Sequence, residues 1–280
     1  MESLQVIELG EARVGVINTG DLALDLADAL GVTPAEQPAE YAADFAEPAQ
    51  VAVNCIYIGL PGLNVLVDAA AYDLDSSFAL PNYTPPPDLI AQLAQIGVTP
   101  QEIDHIIISH LHFDHFNGLT HQQDGQFVPS FPNAVVHIGQ ADWLAAQPKI
   151  ETADSLEAHT LGVLQQQGRI HPVNGDYALG DAVQILASPG ETPGHQTVKL
   201  SAGGQTLYCI GDLYHHIVEI AYPQWGVRWA DMPTMQQSRA QFVEAALAED
   251  AIVIVSHVHG AGQLAEVNGG VQWRTLERSA

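Results

Sequence analysis

Ser109-His110-Leu111-His112-Phe113-Asp114-His115 sets four candidate metal ligands within six residues, His110 to His115. A buried imidazole ordinarily needs one hydrogen-bond partner, and four ionisable groups this close repel or suffer desolvation unless a cation draws them together. The residues just before, Glu102 to Ser109, contain Ile106-Ile107-Ile108 and read as a strand that ends at the cluster. On an extended backbone, residues two apart point to one side, so His110 and His112 can grip a single ion. Asp114 and His115 lie beyond, where the chain turns, and can face a second.

Working outward, 280 residues suffice for a full core in one large domain or two modest ones. Lys and Arg number 8 against 33 Asp and Glu, a formal charge of −25. That field repels phosphate backbones and anionic membrane surfaces, which excludes nucleic acid and such membranes as partners. Cys55 and Cys209 stand far apart in apolar runs and read as buried free thiols. Met1 to Gln5 lacks the basic and apolar regions of a leader, and no apolar run approaches the roughly 18 residues of a membrane helix. The expected location is therefore the cytoplasm.

Strands are expected at Gln5 to Leu9, Ala12 to Ile17, Val51 to Gly59 and Asn64 to Asp68, and a short amphipathic stretch at Leu22 to Leu30. Residues 32–49, rich in Pro, Ala and Glu, read as a loop excursion and a candidate lid or dimer contact. Leu89, Ile90, Leu93 and Ile96 have helical spacing and stop at Gly97. Ala134 to Ile138 reads as a strand and Gln140 to Gln147 as a helix, with a further helical stretch over 151–167. Later strands fall at Ala182 to Ser188, Thr197 to Ala202, Gln205 to Ile210 and Ala251 to Ser256. A helix spans about Met235 to Leu247 with Thr234 as N-cap. Two halves that each mix strands and helices imply a mixed α/β (α+β) fold. Its sheets pack face to face with helices outside, in a single domain over residues 1–280.

The second half places further donors at strand ends: His195 in Thr192-Pro193-Gly194-His195, Asp212 after Cys209-Ile210-Gly211, and His257 after Val255-Ser256. Each is weak alone, since Gly-Asp pairs are common turns. In this order, after His-x-His-x-Asp-His, the constellation resembles the metallo-β-lactamase superfamily over nearly the whole chain. The resemblance implies an αββα sandwich with metals at one edge of the paired sheets. It implies one ion on His110, His112 and His195, another on Asp114, His115 and His257, and Asp212 between them. Asp68 matches an Asp that orients a ligand histidine. His259 competes with His257, which is preferred because it directly follows the strand.

Thr192 to Gln196, Gly211 to His216 and the aromatic run Tyr222, Trp225 and Trp229 resemble the branch of N-acyl-homoserine lactonases and methyl parathion hydrolase. Glu191 departs from it, standing where relatives often carry a His, and is not expected to bind metal. The implied cofactors are two divalent ions, zinc first, with iron, manganese or cobalt as alternatives that nitrogen and oxygen ligands discriminate poorly. Two ions roughly 3.5–4 Å apart acidify a bridging water to a hydroxide nucleophile near neutral pH. The centre, close to singly positive with Asp114 and Asp212, suits a neutral carbonyl or phosphoryl oxygen. Tyr214 and His215 are the first candidates to stabilise the oxyanion. Phe78, Tyr83, Tyr222, Trp225 and Trp229 are candidates for an aromatic-walled cleft. The expected function is dinuclear metal-dependent hydrolysis of a lactone or other small neutral ester, with the protein a candidate homodimer. The alternatives are a mononuclear iron persulfide dioxygenase of the same fold and an organophosphate triester hydrolase.

Overall fold

A computed structural model describes residues 3–276, so the extreme ends of the 1–280 expectation lie outside the described residues. The first sheet is built from β1 (Leu4–Leu9), β2 (Ala12–Leu24), β3 (Ala49–Leu60), β4 (Leu63–Val67) and β5 (His105–Ile108). A separate hairpin, β6 (Thr120–Gln123) and β7 (Gln126–Pro129), precedes its last strands, β8 (Val135–Gly139) and β9 (Ile170–Val173). Its order is β1-β2-β3-β4-β5-β8-β9, antiparallel up to β4 and parallel from β4 onward.

The second sheet runs in chain order through β10 (Tyr177–Leu179), β11 (Val183–Ala187), β12 (Gln196–Ala202), β13 (Gln205–Cys209), β14 (Ile252–Ile254), β15 (Ala261–Val267) and β16 (Gly270–Thr275). Only the β13·β14 pair is parallel, because the helix Met232–Ala248 carries the chain back between them.

Strand alternation builds the layers. Val14, Val16, Ile56, Ile58, Val65 and Val67 face inward and pack with Ile185, Val198, Leu200, Leu207 and Ile254 of the second sheet. The intervening residues of the first sheet, including Cys55, Tyr57, Leu66, Ile106 and Ile108, pack outward with Leu89 and Leu93 of the helix Leu89–Gln95. On the far side, Tyr208, Ile210, Val253 and Val255 meet Met235, Phe242 and Ala246 of the helix Met232–Ala248. These are the four layers of an αββα sandwich, with Cys55 and Cys209 both buried and unbridged.

Several local expectations need correction. The apolar residues Leu22 to Leu24 continue β2 past a bulge between Asn18 and Asp21, and the helix begins only at Leu26 behind Asp25 as N-cap. Asn18 holds that bulge through Gly20 N–H and the Asp21 carboxylate. The long helix starts at Met232, not near Met235. Asp231 is its N-cap and accepts the Thr234 hydroxyl at 2.7 Å, so Thr234 lies inside the first turn. Of the helical stretch expected over 151–167 with an interruption at Gly162, the first residues are turn, and a π-helical turn, Ala158–Gly162, gives way at Gly162 to the helix Val163–Gln166.

Residues 32–49 contain two short helical turns, Ala39–Tyr41 and Ala42–Ala46. Their contacts run to the segment after Asp212: Tyr41 meets Tyr222 edge-on, Phe45 meets Trp225, and Tyr222 donates its hydroxyl to Glu40 at 2.6 Å.

Candidate metal centre

β5 and β14 stop at Ile108 and Ile254, and β13 stops at Cys209, so His110, His257 and Asp212 follow at one rim of both sheets. His195 precedes β12 at the same rim, and the short helix Phe113–Phe116 turns Asp114 and His115 back over it. Gly211 makes this crowding feasible. Its φ is +55°, and a Cβ there would lie 2.6 Å from His195 Nε2 and 2.9 Å from Ser109 Cβ.

Asp212 occupies the middle. Its Oδ2 lies 3.1 Å from Nε2 of His257, 3.2 Å from that of His215, 3.4 Å from that of His115 and 3.6 Å from that of His110. Asp114 Oδ2 is 3.5 Å from His257 Nε2 and 3.8 Å from His115 Nε2. His110 Nε2 and His112 Nδ1 are 2.8 Å apart. All these groups except His112 are buried.

The outer nitrogens are committed elsewhere, which fixes what the inner ones can do. His257 Nδ1 lies 2.7 Å from the Ala52 carbonyl, and His115 Nδ1 lies 2.8 Å from the Asp68 carboxylate. Carbonyls and carboxylates only accept, so each Nδ1 carries the proton and each Nε2 presents a lone pair to Asp212 and Asp114. Lone pairs facing carboxylates in a buried space repel unless a cation stands between them. The acceptor Asp212 Oδ1 and the nitrogen His115 Nε2 are buried without a hydrogen-bond partner, consistent with a metal at this point. Protonation is the other relief. Although burial pushes His115 down, the carboxylates of Asp212, Asp114 and Asp68 hold it well above the usual histidine range. Asp212 shows the converse: burial pushes its carboxyl up, but His257, His115, His215 and His110 hold it well below the usual range. The donor set of imidazoles and carboxylates fits divalent transition metals.

Donor atoms lie within 4.8 Å of one another in three sets: His110, His112, Glu191 and Asp212; Asp114, His115 and His257; and Asp212, His215 and His257. Six of the seven expected ligands therefore fall into them. His195 is adjacent and buried, but its Nε2 accepts the Asp212 N–H at 3.1 Å while Nδ1 lies 2.9 Å from the Ser188 carbonyl. His259 pairs with Asp21 at 2.9 Å.

Of the two oxyanion candidates, His215 reaches the site and Tyr214 does not. Tyr214 is buried against Phe242 beneath the Arg239 guanidinium, 4.3 Å from its ring, and burial pushes its phenol up to about 12. His215 stacks on His257 and meets the edge of Trp229. The loop carrying both is held from beneath by Glu219, which accepts the backbone N–H of His215 at 2.6 Å and pairs with Arg239 at 2.6 Å.

Asp142 and Glu191 were not among the expected site residues. Asp142 accepts the Thr192 hydroxyl at 2.6 Å, Gly194 N–H at 2.7 Å and Leu111 N–H at 3.2 Å, tying together the loops that carry His110 and His195. It sits inside an ordinary helix, Gln140–Ile150, and nothing local in the sequence marks it. Glu191, four residues before His195, is marked in the sequence only as a departure from the resembled branch, with no sign of a place in the cluster.

A cavity of about 370 Å³ opens beside Asp212, His215 and His257. Its lining is otherwise largely apolar, including Leu24, Phe78, Leu111, Phe113, Phe116 and Trp229. Phe78 and Trp229 thus line it as expected. Tyr83 packs on Tyr72 instead, and Tyr222 stacks on Trp225 under residues 39–46.

Residues 49–257 match the metallo-β-lactamase superfamily, and the chain belongs to it. Within it the chain is similar to N-acyl homoserine lactonases: one from a Bacillus species is 31% identical and one from Bacillus cereus 32% identical, each over 137 residues, 48% of either chain. The chain spans about half the length of the curated relatives it matches. Among solved structures, the hydrolase AbOPH of the β-lactamase superfamily superposes with a TM-score of 0.82 at 20% identity, covering 100% of this chain and 99% of the other. AidC, a dizinc quorum-quenching lactonase solved with a product, gives 0.80 at 21% identity and 99% of each chain. At those identities the likeness is one of fold. Among the described residues no helix is long and apolar enough to cross a membrane.

Proposed function

We propose that the protein is a dinuclear metal-dependent hydrolase that opens a lactone or cleaves another small neutral ester. The observation that carries this reading is Asp212 Oδ2, central to four imidazoles at the polar end of an apolar cavity. His110, His112, His195 and Asp212 would hold one ion, and Asp114, His115, His257 and Asp212 the other. Zinc is the first candidate, by analogy with the dizinc lactonase AidC, with iron, manganese and cobalt as alternatives. When bound, such a pair supplies Lewis acidity and a nucleophile at neutral pH.

The chain's own groups complete the reaction. Nε2 of His215 lines the cavity 3.2 Å from Asp212 Oδ2, placed to donate to a carbonyl oxygen as negative charge develops there. Phe113 and Phe116 exclude water from the reacting carbonyl, while Leu24 and Phe78 offer surface for an acyl chain. Among the described lining residues the one lysine, Lys149, is already paired with Glu157 at 3.1 Å, which favours a neutral substrate over an anionic one. The lactonase relatives point to the same substrate class. The single domain over 1–280 is part of this reading.

The test is acid release in a pH-stat from metal-loaded protein and an N-acyl-homoserine lactone of medium chain length. Rapid, chelator-sensitive release is expected. Absence of release, with turnover of a phosphotriester or oxygen uptake with glutathione persulfide instead, would reassign the substrate.

A further inference from the structure

Glu191 is a carboxylate at this rim that the superfamily pattern does not assign. Its side chain is wholly buried, yet only one of its oxygens has a hydrogen-bond partner. Oε1 accepts the indole N–H of Trp229 at 2.6 Å and lies 3.3 Å from His112 Nδ1 and 3.6 Å from His215 Nε2. Oε2 is buried with no partner. A bare carboxylate oxygen in such a space is costly unless a cation satisfies it.

The backbone, not an ion, determines this position. Gly190 adopts φ +146° and packs so closely on Met235 that a Cβ would lie 2.4 Å from its Cα. Asp231 N–H donates to the Gly190 carbonyl at 2.8 Å, and Asp142 holds Thr192 and Gly194 on the other side. Glu191 is therefore presented to the cluster by a pinned turn. One of its oxygens comes within 4.8 Å of donor atoms on His110, His112 and Asp212.

We propose that Glu191 is an additional metal ligand, supplying a carboxylate oxygen to the ion on the His110 and His112 side. The inference rests on the dinuclear reading above. It adds a third carboxylate to Asp114 and Asp212, makes the centre less positive, and shifts the ligand set towards oxygen, which suits manganese or iron better than an all-imidazole face does. Trp229 is then a positioning residue, orienting the carboxylate through its hydrogen bond to Oε1.

The experiment strips the full-length protein of metal and titrates it with cobalt(II), following stoichiometry and the visible d–d spectrum in parent, Glu191→Gln and Glu191→His. The parent is expected to take up two ions. Glu191→Gln is expected to bind one of them about tenfold or more weakly, with an altered spectrum. Glu191→His is expected to shift the bands as nitrogen replaces oxygen, and it decides the matter if the Gln variant does not fold. Folded variants with the parent's affinities and spectrum overturn the ligand role and leave the dinuclear reading standing. A parent that binds no cobalt overturns both.

Discussion

Oδ2 of Asp68 lies 2.8 Å from Nδ1 of His115, across the end of β4 from the helix that carries the histidine. Asp68 achieves this in the left-handed region, at φ +60°, where Asp is among the few side chains that settle without large strain. The same carboxylate accepts the backbone N–H and hydroxyl of Ser109 at 2.7 and 2.9 Å. It thus fixes the start of the His110–His115 loop and the tautomer of His115 in one stroke, turning His115 Nε2 towards Asp212.

Asp68→Asn keeps the backbone preference but replaces an acceptor by an amide that cannot serve Ser109 and His115 alike. Metal affinity is expected to fall about 10–100-fold with the fold intact. Chelator competition followed alongside circular dichroism checks this, and undiminished affinity would exclude the orienting role.

Asp212→Ala removes the carboxylate common to four imidazoles. Metal content after dialysis and lactone hydrolysis are expected to disappear together. Retained turnover in metal-free protein would falsify the hydrolase mechanism.

Arg239 and Glu219 form a buried pair at 2.6 Å beneath the loop of Asp212 and His215, and Arg239 also donates to the carbonyls of Leu213 and Trp225. Replacing one partner strands the other charge, so Arg239→Met is expected to cost about 3–5 kcal/mol. Urea unfolding measures this directly, and a change within error would mean that the pair is dispensable.

His137, buried beside His105 at 3.0 Å and close to His171, has its imidazole pushed down to about 4 by burial first and by these two neighbours next. Near pH 7 both folded and unfolded states are neutral there. As pH falls through the unfolded value near 6.5, only the unfolded chain takes up the proton, so stability declines until about pH 4. The loss is roughly 3 kcal/mol at most, at about 1.4 kcal/mol per pH unit. Unfolding curves at several pH values should be flatter in His137→Leu over this interval, and parallel profiles would dismiss the assignment.

What the sequence determined by itself was whatever local chemistry encodes. Four candidate ligands between His110 and His115 have no cheap structural role, and the alternation in Val14 to Val16, Ile56 to Ile58 and Val65 to Val67 writes two-faced strands into the chain. The strand-end His and Asp downstream were legible because order and spacing survive without coordinates. Boundaries were less so: Leu22 to Leu24 are equally apolar in helix or strand, and pairing with Val51 to Ala49 makes them strand.

Tertiary structure alone decided which nitrogen of His257 and of His115 is free, because that depends on Ala52 and Asp68, far away in sequence. It also separated His215 from Tyr214, one residue apart, by putting Arg239 over the latter. Glu191 entered the cluster for the same reason. A single carboxylate between two turn residues carries no local signal, and its chemistry appears only when Gly190 is pressed on Met235 and Trp229 closes over Oε1. Spacing along the chain specifies ligand types, whereas the direction of a lone pair is set by partners that only the packed sheets bring together.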